Sequence, residues 1–202
     1  MKSWNLNTFK YYQMEVYLAE YDLYRMYGVE KIFQVTKTII HPSYRHEYAY
    51  LEGNDVALIK FDGFISNGQY DYIHYNELDV NAIFKPGDRC EVVGWGSMLP
   101  PGQDISRFLQ KAAINIISNS ECGRIFSNVA DVRSNICAGS GRLSTSSCRG
   151  DSGGPLFCTD GKRHHIQVGI VSYGTVPCGQ PNIPSVYTRV SEVAGWIKAN
   201  AN

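Results

Sequence analysis

Residues 148–156 of the chain read Cys-Arg-Gly-Asp-Ser-Gly-Gly-Pro-Leu. A serine hydroxyl is a weak nucleophile until a neighbouring base takes its proton. It also needs backbone N–H groups that stabilise the oxyanion of a tetrahedral intermediate, and glycine residues let two such groups point the same way. We therefore interpret Ser152 as a candidate nucleophile, with the N–H groups of Gly150 and Ser152 as oxyanion donors. A turn without any chemical role is the alternative interpretation.

Short apolar runs separated by turn residues surround this glycine-rich turn and predict a chain built mainly of strands. The predicted strands cover residues 16–18, 32–40, 56–61, 90–95, 109–117, 135–138, 155–157, 167–173 and 185–190. Turns are predicted at Gly53-Asn54 and Asp160-Gly161, among others. Strands at this spacing favour an all-β barrel or sandwich. Helical periodicity predicts a short helix near residues 118–126 and a C-terminal helix that Ser191 caps and that runs through Ile197.

The composition excludes several classes of protein. The chain has 202 residues, of which 19 are acidic and 19 are basic, so its formal net charge is zero. That balance gives no electrostatic attraction for nucleic acid or for an anionic membrane. Hydrophobic residues make up 44% and charged residues 19%, which is not the balance of a disordered chain. The sequence has no run of 18 apolar residues and therefore predicts no transmembrane helix.

The cysteines point to an oxidising compartment. There are six of them, an even number: Cys90, Cys122, Cys137, Cys148, Cys158 and Cys178. They form no Cys-x-x-Cys pair, so a zinc site is disfavoured and three disulfides are predicted. Six free buried thiols in a cytosolic structural domain are the alternative. Residues 1–14 contain Lys2 but not the apolar core of a signal peptide, so we expect that the beginning has been lost or replaced.

Residues 148–156 closely resemble the nucleophile segment of the trypsin/chymotrypsin family of serine endopeptidases, peptidase family S1. Further segments resemble the family in the same order, at residues 39–44, 54–59, 90–96, 135–139, 171–174 and 186–190. The resemblance runs from about Val16 to the C-terminus, and residues 18–23 and 28–30 are most similar to chymotrypsin-like elastases.

The resemblance implies an all-β fold of two six-stranded antiparallel β-barrels with a C-terminal helix, the trypsin-like serine protease fold. The implied bounds are 1–15 for an unmatched segment, about 16–85 for a first barrel without its opening strands, about 86–190 for the second barrel, and 191–199 for the helix. A first barrel without its opening strands is expected to expose strand edges and core residues.

The resemblance also assigns roles to individual residues. It implies that Ser152 is the nucleophile of an acyl-transfer reaction and that Asp55 orients the catalytic histidine. The residues implied to bind substrate are Ser146 at the floor of the specificity pocket, Ser172, Tyr173 and Gly174 along the substrate backbone, and Ser185 on a pocket wall. The family pairing implies the disulfides Cys90–Cys158, Cys122–Cys137 and Cys148–Cys178. Because Ser146 is uncharged, a medium or large apolar residue is expected before the cleaved bond.

Two features of the family have no match in the sequence. The family's histidine precedes the aspartate in an Ala-Ala-His-Cys-like segment, and no such segment contains any of the five histidines, His41, His46, His74, His164 and His165. The family's mature N-terminus, whose ammonium pairs with the aspartate beside the nucleophile, is also unmatched. We expect that aspartate, Asp151, to be buried alone or turned outward. An outward turn would move the Gly150 N–H away from the oxyanion.

Two hypotheses account for these differences. The chain is either an N-terminally incomplete form of an active peptidase or a non-catalytic relative that acts as a protein-binding scaffold. The intact Ser152 and Asp55 favour the first hypothesis, because a scaffold has no chemical need for them. The chain as written lacks the matching histidine, so its own activity stays open at this point.

The expected partners follow from the same resemblance. They are protein or peptide substrates and protein protease inhibitors. The protein is expected to be a secreted monomer that binds neither nucleic acid nor a membrane. No cofactor is required by the reaction. Glu20, Asp22 and Glu30 resemble part of a calcium loop found in some family members, and a solvated acidic loop is the favoured alternative.

Overall fold

The computed structural model describes residues 14–48, 52–66, 75–98, 104–127, 132–161 and 164–201. These residues form a three-stranded antiparallel sheet and a closed six-stranded barrel, followed by a C-terminal helix. The predicted all-β fold class is therefore confirmed. Within the described ranges no helix is long and apolar enough to cross a bilayer.

The first sheet contains β1 (Glu15–Leu18), β2 (Lys31–Ile40) and β3 (Ala57–Phe61), with β2 in the centre. A β-bulge between Val35 and Lys37 keeps apolar residues on one face, where the rings of Phe33 and Phe61 lie 4.9 Å apart. On the same face Ile40 and Ile59 remain 44% and 48% exposed. This sheet therefore presents apolar surface.

The second barrel is closed by its own hydrogen bonds. Its strands are β5 (Arg89–Gly94), β6 (Gln110–Ile117), β7 (Asn135–Gly139), β8 (Pro155–Thr159), β9 (His165–Tyr173) and β10 (Ser185–Arg189). They follow the order β10-β7-β6-β5-β8-β9, and β9 pairs with β10 to close the barrel. The two-residue strand β4 (Glu77–Leu78) adds to β9 in parallel. Because the barrel is closed, each of its six strands has a hydrogen-bonded neighbour on both sides along its paired residues.

The core of the second barrel is apolar and cross-linked. Apolar side chains of the strands fill the interior of the barrel. Five of them are at most 4% exposed, namely Val92, Ile114, Leu156, Val168 and Tyr187. The disulfides are Cys90–Cys158, Cys122–Cys137 and Cys148–Cys178, the pairs that the family resemblance implies. All six cysteines lie in the described part of the chain and none is free. The prediction of three disulfides is therefore confirmed.

Two α-helices in the described residues differ in how they begin. Helix α1 (Asn119–Cys122) is capped by Ser118, whose Oγ accepts the Glu121 N–H at 3.1 Å. Helix α2 (Val190–Asn200) begins one residue after β10, and its N-cap is Arg189, which makes no side-chain capping bond. The predicted cap at Ser191 is wrong. Arg189 has an extended backbone and pairs with Gly169, so the helix starts at the next residue and Ser191 lies in its first turn.

Candidate active site

Asp55 lies in the loop before β3, and the second barrel fixes its backbone. Asn54 and Gly53 both have positive φ, at 57° and 66°. The Asn54 N–H donates to Ser134 Oγ at 3.1 Å, and Thr188 Oγ1 donates to the Asp55 carbonyl oxygen at 2.8 Å. A Cβ at Gly53 would collide with Ser134 Oγ, so only glycine allows this close approach.

The carboxylate of Asp55 is held by a serine of β9. Ser172 Oγ donates to Asp55 Oδ2 at 2.7 Å, and both side chains are partly buried. No described residue donates to the other oxygen, Oδ1. A carboxylate held in this way has one free acceptor for an imidazole N–H.

Ser152 and Asp55 line the same cavity, which has a volume of about 600 Å³. Most of its other walls are apolar, for example Leu58, Ile59 and Val171. Tyr44 is the only tyrosine in this lining. Burial, followed by the negative charge of Asp55, raises the pKa of Tyr44, so its phenol stays protonated and cannot serve as a base near neutral pH. Ser152 itself is exposed.

The turn at Ser152 leaves two backbone donors available. Its neighbours are engaged, since the Gly153 N–H donates to the Val171 carbonyl at 2.9 Å and the Gly154 N–H donates to the Asp151 carbonyl at 2.8 Å. Within the described residues, the N–H groups of Gly150 and Ser152 donate to no protein acceptor. These are the two groups that the sequence predicts as oxyanion donors.

Asp151 points into the protein rather than outward. Its Oδ1 accepts the Gly96 N–H at 2.8 Å and its Oδ2 accepts the Cys148 N–H at 2.9 Å. No described lysine, arginine or histidine forms an ion pair with this carboxylate. The carboxylate borders a second cavity, of about 420 Å³. Of the two expected orientations, the structure has the one in which the carboxylate is partly buried and bonded only to backbone N–H groups.

Of the predicted specificity residues, Ser146 lines the cavity that also includes the Cys148–Cys178 disulfide. Ser146 Oγ donates to the Ser147 carbonyl oxygen and accepts the Gly179 N–H, both at 2.9 Å. A Cβ added at Gly174 would lie 3.2 Å from Ser185 Oγ, so these two residues face each other. Ser146, Gly174 and Ser185 carry no charge themselves.

Two tyrosines beside the pocket stay protonated. Tyr187 is fully buried, and its hydroxyl donates to Ser147 Oγ at 3.2 Å. Burial raises the pKa of Tyr187 to about 12, and it raises the pKa of Tyr173 to about 12 as well. Tyr173 packs edge-on against Phe126, with ring centroids 5.9 Å apart. Neither phenol can supply negative charge to the pocket at neutral pH.

Strand β9 changes partners beside Ser152. Strand β8 pairs with β9 as far as Ile170, and further along β9 Tyr173 pairs with Val186 of β10. Ser172, Tyr173 and Gly174 lie just beyond the point where the pairing with β8 ends.

Four of the five histidines lie in the described residues, and each has another neighbour. His41 packs on Trp196, His46 Nδ1 lies 3.4 Å from Tyr44 Oη, His164 Nδ1 lies 3.1 Å from Asp160 Oδ2, and His165 contacts Phe157. No hydrogen bond joins any of these four to Asp55 or Ser152. His74 lies outside the described residues.

A family model described as Trypsin matches residues 7–197. The chain belongs to the trypsin family. Among the relatives of this trypsin-family chain, Kallikrein-8 of Rattus norvegicus is 31% identical over 183 residues, which cover 91% of this chain and 66% of the relative. Kallikrein-7 of Homo sapiens is 33% identical over 164 residues, which cover 81% of this chain and 60% of the relative.

The fold of another trypsin-family protein agrees. The solved structure of neuropsin, described as a serine protease expressed in the limbic system of mouse brain, matches with a TM-score of 0.82 at 32% identity. The match covers 96% of this chain and 81% of the neuropsin chain. The chain spans about two thirds of the length of the curated kallikreins it matches.

Sequence reasoning missed the residues that support Asp55 from the second barrel. Ser134 and Thr188 are both buried and bond to the loop of Asp55 across 80 and 133 residues of sequence. No local pattern marks such a pair. The one available signal was Gly53-Asn54, which predicted a tight turn without showing what it packs against.

Proposed function

We propose that the protein is a serine endopeptidase that cleaves peptide bonds through an acyl-enzyme on Ser152. The observation that carries this proposal is the cavity in which Ser152 faces the loop of Asp55, whose carboxylate Ser172 holds. Family membership places the chain among serine proteases, and the substrate class is therefore protein.

The chemistry assigns one task to each group. Ser152 Oγ attacks the carbonyl carbon of the peptide bond while a base takes its proton, and the N–H groups of Gly150 and Ser152 stabilise the oxyanion. The amine leaves with that proton, and water then hydrolyses the acyl-enzyme. No described residue donates to Asp55 Oδ1, and we assign to this oxygen the role of accepting the N–H of an imidazole and stabilising its cationic form.

None of the four described histidines is hydrogen-bonded to Asp55 or Ser152. The same observation favours a second candidate function, that of a non-catalytic scaffold that binds protein. The cavity between Asp55 and Ser152 is large enough to admit an imidazole molecule. Free imidazole can therefore serve as a probe of whether the site is built for acyl transfer.

The test is labelling of the folded chain with a fluorophosphonate probe, followed by mass spectrometry of the modified residue. We expect labelling on Ser152 that increases at least tenfold with millimolar imidazole and is absent in Ser152→Ala. Asp55→Asn should lose most of the imidazole response, because the cationic imidazole then loses its counter-charge. A folded protein that stays unlabelled with imidazole present would overturn the peptidase proposal and support the scaffold.

We propose further that the specificity pocket prefers a medium or large apolar side chain, as chymotrypsin-like and elastase-like enzymes do. Ser146 is uncharged, Gly174 has no side chain, and Ser185 presents only a small hydroxyl opposite Gly174. Secretion fits the three disulfides, and we expect protein substrates and protein protease inhibitors to bind along Ser172, Tyr173 and Gly174.

A further inference from the structure

The loop between β1 and β2 contains three carboxylates, Glu20, Asp22 and Glu30, in the arrangement that resembles a calcium loop. Calcium takes six to eight oxygen ligands, so its carboxylates must converge on one point and be free to bind. The structure allows this requirement to be checked for each side chain. In the described residues no group of three or more His, Cys, Asp or Glu side chains converges to hold a metal.

Asp22 is already bound to a cation of the protein. Its side chain is fully buried, and it accepts bonds from Arg107 Nε at 2.6 Å and Arg107 Nη2 at 2.7 Å. The Tyr24 N–H adds a third donor at 3.1 Å. A two-pronged guanidinium–carboxylate pair of this kind is among the strongest charge-assisted hydrogen bonds in proteins.

The other two carboxylates are occupied by backbone donors. Glu30 accepts the Tyr27 N–H at 2.7 Å and the Gly28 N–H at 2.8 Å, one on each oxygen. Glu20 Oε1 accepts the N–H groups of Tyr21 and Asp22 at 2.9 and 3.1 Å. Both carboxylates therefore act as turn-stabilising acceptors within the loop, and the donor set does not fit a calcium ion.

Arg107 is presented to Asp22 by backbone pairing between the loop and the second barrel. The Leu23 N–H donates to the Arg107 carbonyl at 3.0 Å, and Asp22 forms an isolated β-bridge with Phe108. The guanidinium also lies over the rings of Phe108 and Tyr24, at 4.9 and 5.7 Å from their centroids. It is thus held by a carboxylate and by two aromatic faces.

We infer that Arg107 is the resident cation of this loop, that it takes the place of a calcium ion, and that the loop folds without metal. The pair also joins the first sheet to the second barrel, because the two partners belong to different halves of the fold. Trp95 Nε1 strengthens the same junction by donating to the Tyr21 carbonyl at 3.2 Å. The pKa shifts of the two side chains are consistent with this pair, since Arg107 lowers the pKa of Asp22 and Asp22 raises the pKa of Arg107.

The test is thermal unfolding of the full chain in EDTA, in 5 mM CaCl₂ and in 5 mM MgCl₂ as the control for ionic strength. We expect the wild-type Tm to change by less than about 1 °C between these conditions. Arg107→Gln should lower the Tm in EDTA by about 5 °C or more, since it leaves Asp22 buried without a cation. In that variant calcium, but not magnesium, should restore part of the loss.

Arg107→Lys serves as the matched control, because it keeps the charge and should stay insensitive to calcium. A wild-type Tm that rises by several degrees in calcium alone would overturn the inference. So would an Arg107→Gln variant that loses stability but gains nothing from calcium. If Arg107→Gln does not fold, calorimetric titration of the wild-type protein with calcium provides the test. Heat of specific calcium binding to the loop would then contradict the inference.

Discussion

Ser172 Oγ donates a 2.7 Å hydrogen bond to Asp55 Oδ2 across 117 residues of sequence. The acceptor lies in the loop that enters the first sheet, and the donor lies on a strand of the second barrel. The orientation of the Asp55 carboxylate therefore depends on how the two halves of the fold meet. This dependence makes the pair a sensitive place to test the site.

Ser172→Ala removes that donor and leaves Asp55 Oδ2 without its partner. Because the bond reaches a charged, partly buried acceptor, we expect the free energy of unfolding to fall by about 1–2 kcal/mol. Imidazole-supported labelling of Ser152 should fall at least threefold, since the carboxylate is no longer oriented. Urea denaturation and fluorophosphonate labelling measure the two effects. Ser43→Ala, on an exposed loop, is the control, and equal effects of the two variants would contradict the assigned role.

Gly53→Ala tests the close contact that fixes the backbone of Asp55. The new Cβ would meet Ser134 Oγ and Val132 Cγ1 at a positive φ of 66°, so strain and overlap add. We expect a loss of about 3 kcal/mol in the free energy of unfolding. Gly161→Ala is matched, because Gly161 has a φ of 80° with no atom within 4 Å of an added Cβ. It should cost only about 1 kcal/mol, and similar costs at both positions would mean that the contact with Ser134 is unimportant.

The ion pair of the calcium-like loop gives a pH dependence with a defined sign. Arg107 lowers the pKa of Asp22 below its ordinary value of 3.8 in the folded protein. The stability that the pair contributes is therefore fully present above pH 3.8 and is lost as the pH falls through the lowered value. The Tm difference between wild type and Asp22→Asn should be large at pH 7 and should shrink below pH 3.8. A difference that is constant from pH 7 to pH 2.5 would show that Asp22 does not titrate in this way.

Ser146→Asp tests the proposed floor of the specificity pocket. A carboxylate there would attract Lys or Arg side chains. Labelling of Ser152 by peptidyl phosphonates with a basic residue should therefore increase relative to labelling by those with Phe. We expect the labelling ratio on Ser152, with imidazole present, to shift by at least about tenfold toward the basic probe. Ser120→Asp adds the same charge at an exposed position outside the cavities that Ser146 and Ser152 line, and it should leave the ratio unchanged. A ratio unaffected by Ser146→Asp would place the pocket floor elsewhere.

Strand positions could be predicted from the sequence because apolar runs and turn residues alternate along the chain. The predicted runs at 90–95 and 109–117 became Arg89–Gly94 and Gln110–Ile117, so the errors for these two strands are confined to their ends. The two-residue strand Glu77–Leu78 was not predicted. The cap of the last helix was mispredicted because the pairing of Arg189 with Gly169 on the neighbouring strand set where the helix could begin. Local propensity at Ser191 carried no information about that pairing.

The candidate site could be predicted only where its residues sit in a local motif. Ser152 and Gly150 belong to one turn, and the family resemblance supplied Asp55. By contrast, Arg107 and Asp22 are separated by 85 residues, and neither stands in a pattern that indicates the other. Such pairs are created by folding, so they become visible only when the barrel and the loop are placed together.

Every disulfide lies between Cys90 and Cys178, whereas in the described residues the first sheet and its loops contact the rest of the fold through hydrogen bonds, ring contacts and the Asp22–Arg107 ion pair. If the two ends of the chain were pulled apart, residues 15–61 should unravel at low force. The segment between Cys148 and Cys178, which contains Ser152, should resist extension until a reductant breaks the disulfide that closes it. The two halves of the protein should therefore differ in mechanical strength, and the proposed nucleophile, Ser152, belongs to the half that resists force better.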